Sequence, residues 1–398
     1  MTRNEMTHGH LTHDEVVELD HQYLMQTGKR LPVTFVRGEG VHLYDDRGKE
    51  YLDLMAGIAV NILGHCHPAV VEAVVEQSRQ LIHTSGLYYQ HNAALLARRL
   101  VQLAFPSRVF LNNSGAESNE VAIKIARKWG KRNRDGAYEI ISALGSFHGR
   151  TLATIAATGQ EKYQKPFAPM PDGFVQVPYD DLDAIKAATN ERTVAVMLEP
   201  IMGEIGIIVP SPDYLKGVRQ WCDEQNLLLI LDEIQTGMGR TGRWFAHQLV
   251  GVEPDIMTLA KALGGGLPIG ACLAKPRADV LEPGDHGTTF GGNPVVTAAA
   301  LATIDVVERE HLLEHVVEVG DLLQAALEDL GQTDARGIGM MRAFTFAEAR
   351  AKDYQVKAME AGVIVNAVDD YSIRVEPPLI LSANDVDQAA ELLKKALP

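Results

Sequence analysis

The sequence predicts an α/β fold in which helices cover a mostly parallel sheet, followed by a smaller α+β region. From about Asn61 onward, short apolar runs alternate with stretches of helical periodicity, which is the pattern of βαβ units. After Pro294 the pattern is helical to about Leu330 and then returns to short strands. We therefore expect a large domain over residues 61–290 and a small domain built from residues 1–60 and 291–398.

The first elements belong to the predicted small domain. Thr12 and Glu15 have the spacing of a capping box ahead of an amphipathic helix. Residues 33–54 have the pattern of hairpin strands, with turn signals at Arg37 and Gly38 and again at residues 46–48. These signals predict one helix followed by an antiparallel ribbon.

Short apolar runs locate the remaining strands. In the large domain we expect strands at residues 109–111, 138–142, 194–199, 227–232, 255–259 and 271–274. In the C-terminal region we expect them at residues 341–346, 363–365 and 372–375. Ser382 is the predicted start of a final amphipathic helix.

The composition limits the classes of function. The 398 residues exceed one core of ordinary size, and the apolar fraction of 46% excludes a wholly disordered chain. The formal charge of −15, from 37 basic and 52 acidic side chains, argues against binding to nucleic acid or to an anionic membrane. The apolar stretch 262–274 is too short, and too rich in glycine and proline, to span a bilayer.

Cysteine usage and the amino terminus predict a cytoplasmic protein. Cys66, Cys222 and Cys272 are odd in number and widely spaced, so neither a disulfide framework nor a zinc site is indicated, and no metal is expected. Residues 1–13 are polar and lack the apolar segment of a secretory signal.

Two charged residues follow predicted strands directly. Asp232 comes after the aliphatic run 227–231, so its carboxylate needs a cationic partner or a ligand; a helix cap or a structural ion pair is the alternative. Lys261 precedes the glycine-rich, apolar segment 262–270. Desolvation there lowers the pKa of an amine and favours Schiff-base formation, whereas a lysine that extends from a helix end to solvent is the alternative.

A third candidate lies at a helix start. Residues 112–117 follow a predicted strand, and Ser114 and Glu117 have capping-box spacing. Free N–H groups at a helix N-terminus bind anions, although simple capping explains the same pattern. A phosphate site, a buried lysine and a buried acid at the strand ends of one sheet together meet the requirements of pyridoxal phosphate (PLP).

Several longer motifs accompany these residues, at positions 64–68, 113–117, 147–151, 199–204, 231–237 and 287–294. With them the sequence resembles the class III (ω-amino acid) aminotransferases of PLP fold type I, over about residues 31–393. The resemblance implies a mostly parallel, seven-stranded sheet in the large domain. It further implies cofactor contacts from Ser114, Gly115, Ala116, Phe147, His148, Asp232, Gln235, Lys261 and, across a homodimer interface, Thr289.

The same resemblance implies how substrates bind. Arg150 would bind the distal carboxylate, and Arg374 would bind the α-carboxylate of glutamate through a bidentate fork. Glu204 would pair with Arg374 when an ω-amine donor occupies the site and move away for glutamate; a purely structural salt bridge is the alternative. Thr288 is a further expected substrate contact. Lys261, Asp232 and Glu204 are the expected catalytic residues.

Within this resemblance, residues 56–61 and 288–290 are similar to one branch of the family, which implies N2-acetyl-L-ornithine as the amino donor and 2-oxoglutarate as the acceptor. Ornithine, succinylornithine, LysW-carried aminoadipate semialdehyde and 4-aminobutyrate are the alternatives. Met202, Ile205 and Gly86 depart from the usual family residues at positions expected near the pocket, which leaves the donor less defined than the reaction.

Two motifs point to other functions. Residues 237–242 spell GxGxxG, which makes a dinucleotide-dependent oxidoreductase the rival interpretation, but no amphipathic helix pattern follows the last glycine. Residues 311–315 match an HxxEH metalloprotease pattern, which we interpret as a solvated helix face. A non-catalytic PLP-binding relative is the third possibility, against which the presence of Lys261, Asp232 and Arg374 argues.

Overall fold

The computed structural model describes residues 11–331 and 334–397, so most of the polar amino-terminal segment lies outside the described residues. Helix α1 (His13–Tyr23) is preceded by the expected capping box of Thr12 and Glu15. Among the described helices, none is long and apolar enough to cross a bilayer.

An antiparallel ribbon follows α1, as predicted. Its strands are β1 (Phe35–Glu39), β2 (His42–Asp45) and β3 (Glu50–Asp53). The turn expected at Arg37 and Gly38 is wrong, because both residues lie within β1 and pair with β2. The chain reverses at Gly40 instead, where glycine adopts a φ of +55° at no steric cost.

A seven-stranded sheet forms the centre of the molecule. Its strands are β4 (Arg108–Asn112), β5 (Glu139–Ala143), β6 (Phe174–Val177), β7 (Thr193–Leu198), β8 (Leu228–Asp232), β9 (Ile256–Leu259) and β10 (Gly270–Ala274). Their spatial order is β4-β10-β9-β8-β7-β5-β6. β10 runs antiparallel to β4 and β9, and the other pairs are parallel. The predicted α/β class is thus confirmed.

The strand predictions for this sheet hold to within one or two residues, with one omission. All residues of β7 and β8 are buried, which explains their unbroken apolar sequences. β6 was not expected, because this four-residue edge strand contains Gln176 and lacks a continuous apolar run.

Helices pack on both faces of the sheet and continue into the C-terminal region. They are α2 (Ala56–Ala59), α3 (Pro68–Gln80), α4 (His91–Leu103), α5 (Gly115–Asn133), α6 (Leu152–Ala157), α7 (Glu161–Gln164), α8 (Leu182–Ala188), α9 (Tyr214–Glu224), α10 (Pro294–Arg309) and α11 (Leu312–Glu328). The helical run after Pro294 is confirmed, with a break at His311, whose φ is +51°. This backbone conformation ends α10 and starts α11.

The C-terminal region supplies two further sets of strands. β11 (Arg336–Ile338), β12 (Met341–Thr345), β14 (Asn366–Ala367) and β15 (Ser372–Val375) form a sheet in the order β11-β12-β15-β14, while β13 (Val363–Ile364) lies parallel to β3. Helices α12 (Ala351–Ala361) and α13 (Ala383–Ala396) complete the region, and Ser382 caps α13 as expected. Amino- and carboxyl-terminal segments therefore share a sheet; the domain boundaries at residues 60 and 290 stay a prediction.

Candidate active site

A cavity of about 420 Å³ lies at one edge of the seven-stranded sheet. Strands β4, β5, β7, β8 and β9 all end at this edge, which is where open α/β sheets bind ligands. Each strand is followed by residues that line the cavity. From the predicted site these are Ser114, Gly115, Ala116, Phe147, His148, Arg150, Glu204, Asp232, Gln235 and Lys261.

Asp232 is a buried carboxylate at the end of β8. Its Oδ2 accepts hydrogen bonds from Asn119 Nδ2 at 2.7 Å and His148 Nδ1 at 2.8 Å, and its Oδ1 accepts the Ile234 N–H at 3.1 Å. Although burial opposes a charged imidazole, the bond to Asp232 raises the pKa of His148. These hydrogen bonds fix the orientation of the Asp232 carboxyl group.

Lys261 follows β9 and lines the cavity. Burial lowers the pKa of its amine. Its backbone is left-handed, with a φ of +41°, which is uncommon for a lysine and is the kind of strain that concentrates at functional sites. The arrangement provides a partly desolvated amine, which is the state that a nucleophile requires.

The N-terminus of α5 faces the same cavity. Ser114 Oγ caps the helix by accepting the Glu117 N–H at 3.2 Å. The Glu117 carboxylate does not return the bond to Ser114, as the capping-box prediction required, but accepts two bonds from Asn113. The first N–H groups of the helix, at Gly115 and Ala116, lack intrahelical acceptors and form an anion site. A Cβ on Gly115 would come within 2.8 Å of Ile234 Cδ1, so the tight packing here requires glycine.

Arg374 and Glu204 lie together at the side of the cavity, with 3.7 Å between Nη1 and Oε1. Arg374 is 2% exposed and donates to the Gly203 carbonyl at 3.1 Å and to Asn366 Oδ1 at 2.8 Å. Its Nε lies 3.5 Å from the buried carboxylate of Glu376. Arg374 does not itself line the cavity but contacts Glu204, which does.

Arg150 lies at the cavity as an exposed side chain. Its guanidinium carbon is 3.9 Å from the centre of the Tyr163 ring and 5.3 Å from that of Phe147, and these cation–π contacts orient the charge. Phe147 is itself held by a hydrogen bond from its N–H to Glu199 Oε1 at 2.9 Å. The structure thus places the Arg150 cation beside the cavity, where it can bind an anion.

The two threonines have different positions. Thr288 Oγ1 accepts a bond from Asn113 Nδ2 at 3.1 Å, so it lies next to the cavity without lining it. Thr289 is exposed and lines a separate groove with Tyr88 and Tyr89. The structure of one chain therefore does not bring Thr289 to its own cavity.

Sequence reasoning missed three residues of the site. Glu199 lines the cavity, and burial raises its pKa to about 7. It follows the aliphatic strand β7 just as Asp232 follows β8, so the same signal could have identified it. Asn119, which orients Asp232, and Tyr163, which supports Arg150, carry no sequence signal because only the fold brings them near.

The three unusual residues do not themselves line the cavity. Met202 and Ile205 pack in the core, where both approach Gly145, and Ile205 directly follows the cavity-lining Glu204. Gly86 is exposed in the groove that contains Thr289. An influence of these three departures on the amino donor stays a prediction.

The competing motifs lack the required context. Residues 237–242 form turns, and no α-helix follows them, so they do not form a dinucleotide-binding turn. His315 Nε2 donates a hydrogen bond of 2.9 Å to the Leu381 carbonyl oxygen, just before α13. Within the described ranges there is no group of three or more His, Cys, Asp or Glu side chains that could hold a metal.

Comparison with known proteins agrees with this geometry. Residues 23–397 match the aminotransferase class-III family. Acetylornithine aminotransferase of Methanocaldococcus jannaschii is 48% identical over 95% of this chain and 96% of its own length. Acetylornithine aminotransferase 1 of Bordetella pertussis is 49% identical over 92% of this chain and 94% of its own.

Solved structures give the same result. Ornithine aminotransferase of Toxoplasma gondii superposes with a TM-score of 0.93 at 32% identity, covering 97% of this chain and 95% of that one. Acetylornithine aminotransferase of Elizabethkingia anophelis superposes with a TM-score of 0.86 at 33% identity, covering 97% and 99%. This chain belongs to the class III aminotransferases, and its fold is PLP-dependent transferase fold type I.

The cofactor of this family is PLP, and the cavity fits it. Gln235 Oε1 and His148 Nε2 are buried polar atoms without a hydrogen-bond partner in the described part of the chain, so a bound group can satisfy them. The cavity also has an anion site at α5, a carboxylate at Asp232 and an amine at Lys261. These are the three groups that a pyridine ring with an aldehyde and a phosphate requires.

Proposed function

We propose that this protein transfers the ω-amino group of N2-acetyl-L-ornithine to 2-oxoglutarate, giving N-acetyl-L-glutamate 5-semialdehyde and L-glutamate, as in arginine biosynthesis. The observation that carries the proposal is the buried Arg374 paired with Glu204 next to Lys261, together with the free cation of Arg150. One site then serves two substrates that differ by a carboxylate. The acetylornithine aminotransferases among the relatives support the acetylated donor.

The cavity residues have separate roles in this proposal. When bound, PLP supplies an electron sink that stabilises negative charge at the reacting carbon of the substrate. Asp232 would hold the ring nitrogen protonated, and Ser114, Gly115 and Ala116 would bind the phosphate. Lys261 would bind the aldehyde and, once released, move a proton through its Nζ, since burial lowers the pKa of its amine.

Glu204 would decide which substrate fits. An ω-amine donor presents methylenes where glutamate presents its α-carboxylate. When Arg374 faces methylenes, Glu376 pairs with its Nε, but the Nη1 side that faces the substrate has no anion, which is unfavourable for a buried charge. The Glu204 carboxylate can compensate Arg374 at 3.7 Å for the donor and leave for the dicarboxylate. Arg150 would bind the remaining carboxylate of either substrate.

We further propose a cytoplasmic homodimer. Leu87, Tyr88 and Tyr89 are exposed large side chains, and they border the groove that contains Thr289. Contiguous exposed aromatic and aliphatic side chains favour association with another protein. A second copy of the chain would cover them and would receive Thr289 at its own phosphate site.

A panel of amino donors tests the substrate. N2-acetyl-L-ornithine should change the absorbance of the bound cofactor with a specificity constant at least about tenfold above those of ornithine and 4-aminobutyrate. N-acetylputrescine is the matched control, because it is the same molecule without the α-carboxylate that Arg150 would bind. Single-turnover rates give the constants. Ornithine reacting as well as its acetylated form would make ornithine, the substrate of the structurally similar Toxoplasma enzyme, the better assignment.

Glu204→Ala tests the two-substrate arrangement. The variant should lose about tenfold in specificity constant for N2-acetylornithine, because Arg374 then loses the carboxylate at its Nη1 and retains that of Glu376 at its Nε, while the constant for glutamate stays or rises. Both constants are measured on the same cofactor form of the enzyme. Equal losses for the two substrates would remove Glu204 from this role.

A further inference from the structure

The segment that carries Glu204 has a defined backbone. We name residues 203–207 the gate loop. Its base is closed by Met202 and Ile208, whose N–H and carbonyl groups form two hydrogen bonds of 3.1 and 2.9 Å. Within it, Gly206 and Ile207 have φ values of +95° and +58°. A left-handed β-branched residue is strained, so this conformation requires support from neighbouring groups.

Arg336 on β11 supplies that support. Its Nε donates to the Ile207 carbonyl at 3.0 Å and its Nη2 donates to the Gly206 carbonyl. Its Nη1 is fixed in turn by Thr345 Oγ1 at 2.8 Å and by the Asp334 carboxylate. A Cβ on residue 206 would lie 2.9 Å from Nη2, so the guanidinium occupies the space that glycine leaves.

Arg336 and Arg374 lie in one row of the C-terminal sheet. Arg336 pairs with Ala343 on β12, and Ala343 pairs with Arg374 on β15. Directly opposed residues of antiparallel strands project from the same face. Arg374 binds the Gly203 carbonyl at the start of the gate loop, and Arg336 binds the carbonyls at its end.

Apolar packing joins the two arginines. Ile201 and Ile207 form a buried cluster with Met341 and Ala343, between the two contact points. We infer that Arg336 is a positioning residue for substrate selection: with Arg374 it holds the gate loop at both ends, so that Glu204 exchanges by side-chain rotation over a fixed backbone. This inference rests on the function proposed above, because it gives Glu204 the role of a gate.

The consequence is a selective effect at a distance from the substrate. Arg336 is absent from the cavity lining and contacts backbone carbonyls rather than Glu204 itself. Without Arg336, the strained gate loop can relax, and Glu204 is no longer held opposite Arg374. The donor half-reaction needs the Glu204–Arg374 pair, whereas the glutamate half-reaction needs it broken. A looser gate loop therefore lowers the specificity constant for the amino donor and leaves that for glutamate nearly unchanged.

Arg336→Lys and Arg336→Ala test the inference in the PLP-loaded enzyme. We expect the specificity constant for N2-acetylornithine to fall about tenfold and that for glutamate to change little, because a lysine lacks the planar fork with which Arg336 bonds Ile207, Gly206 and Thr345 at once. Glutarate binding, followed by cofactor absorbance, should be as tight or tighter. Arg342→Lys is the matched control: Arg342 binds the carbonyls of Gly337 and Gly339 within its own sheet, away from the gate loop.

A double variant separates this inference from the gate itself. In a Glu204→Ala background, Arg336→Lys should no longer alter the ratio of the two constants. The inference would be overturned if Arg336→Lys still altered the ratio in that background, or if it left the ratio unchanged as a single variant. Neither outcome would contradict the role of Glu204 as a gate. If Arg342→Lys altered the ratio as much as Arg336→Lys does, the effect of Arg336 would be one of general stability rather than of positioning Glu204. A Glu204→Ala variant with an unchanged ratio would overturn the gate as well.

Discussion

Replacing Lys261 by alanine is expected to abolish amino transfer, with a loss of at least about 10⁴-fold in the single-turnover rate, because one side chain both binds the cofactor and moves the proton. Lys261 is the lysine that lines the cavity, and burial lowers its pKa. Stopped-flow absorbance with N2-acetylornithine measures the rate.

A second lysine provides the control for that experiment. Lys275 follows β10 and forms an ion pair with Glu253 at 2.9 Å, outside the cavity. Lys275→Ala should keep full activity. Borohydride reduction of the PLP-loaded enzyme should attach the cofactor to the peptide that contains Lys261. In Lys261→Ala the corresponding peptide should carry no cofactor. Retention of the rate to within a factor of about ten would assign the chemistry to another amine.

Asp232→Asn is expected to reduce the rate by about 10²- to 10⁴-fold, since removal of one charge from a buried pair costs about 3 to 5 kcal/mol. The carboxylate accepts bonds from Asn119 and His148, and an amide cannot replace it as an anion facing the ring nitrogen. Single-turnover rates and the dissociation constant of the cofactor measure the effect.

The adjacent acid is the matched control for Asp232. Glu233 is equally buried, but its oxygens accept the N–H groups of Ala246 and His247, and it does not line the cavity. Glu233→Gln should lower the melting temperature while the rate per bound cofactor stays near that of the parent. A comparable loss of rate in both variants would show that Asp232 acts through loop structure alone.

The chemical residues were accessible from the sequence because each leaves a local signal. Asp232 and Lys261 are charged groups directly after apolar strands, and Ser114 opens a helix, so simple rules of burial and capping predict them. Glu199 leaves the same signal after β7 and was still missed. The arginine roles came from resemblance, because neither Arg150 in a loop nor Arg374 in the short strand β15 has a local pattern that distinguishes a substrate contact from another charge.

Local patterns also explain the wrong and incomplete expectations. Gly38 looked like a turn residue, yet its strand is held by pairing with Leu43, and the reversal occurs at Gly40. Edge strand β6 lacks a long apolar run because one side of it has no partner strand. Met202 and Ile205 were expected near the pocket, and packing beside Gly145 decides that they do not line it.

The sequence by itself determined the α/β class, the positions of most strands and the three groups that a PLP site requires. These follow from periodicity and from residue types at strand ends, which are local properties of the chain, while the family followed from the resemblance of its motifs. The tertiary structure alone decided that Asn119 orients Asp232, that Tyr163 supports Arg150, and that Arg336 and Arg374 hold the two ends of one loop. Those residues belong to separate segments of the chain, and only strand register and packing bring them into contact.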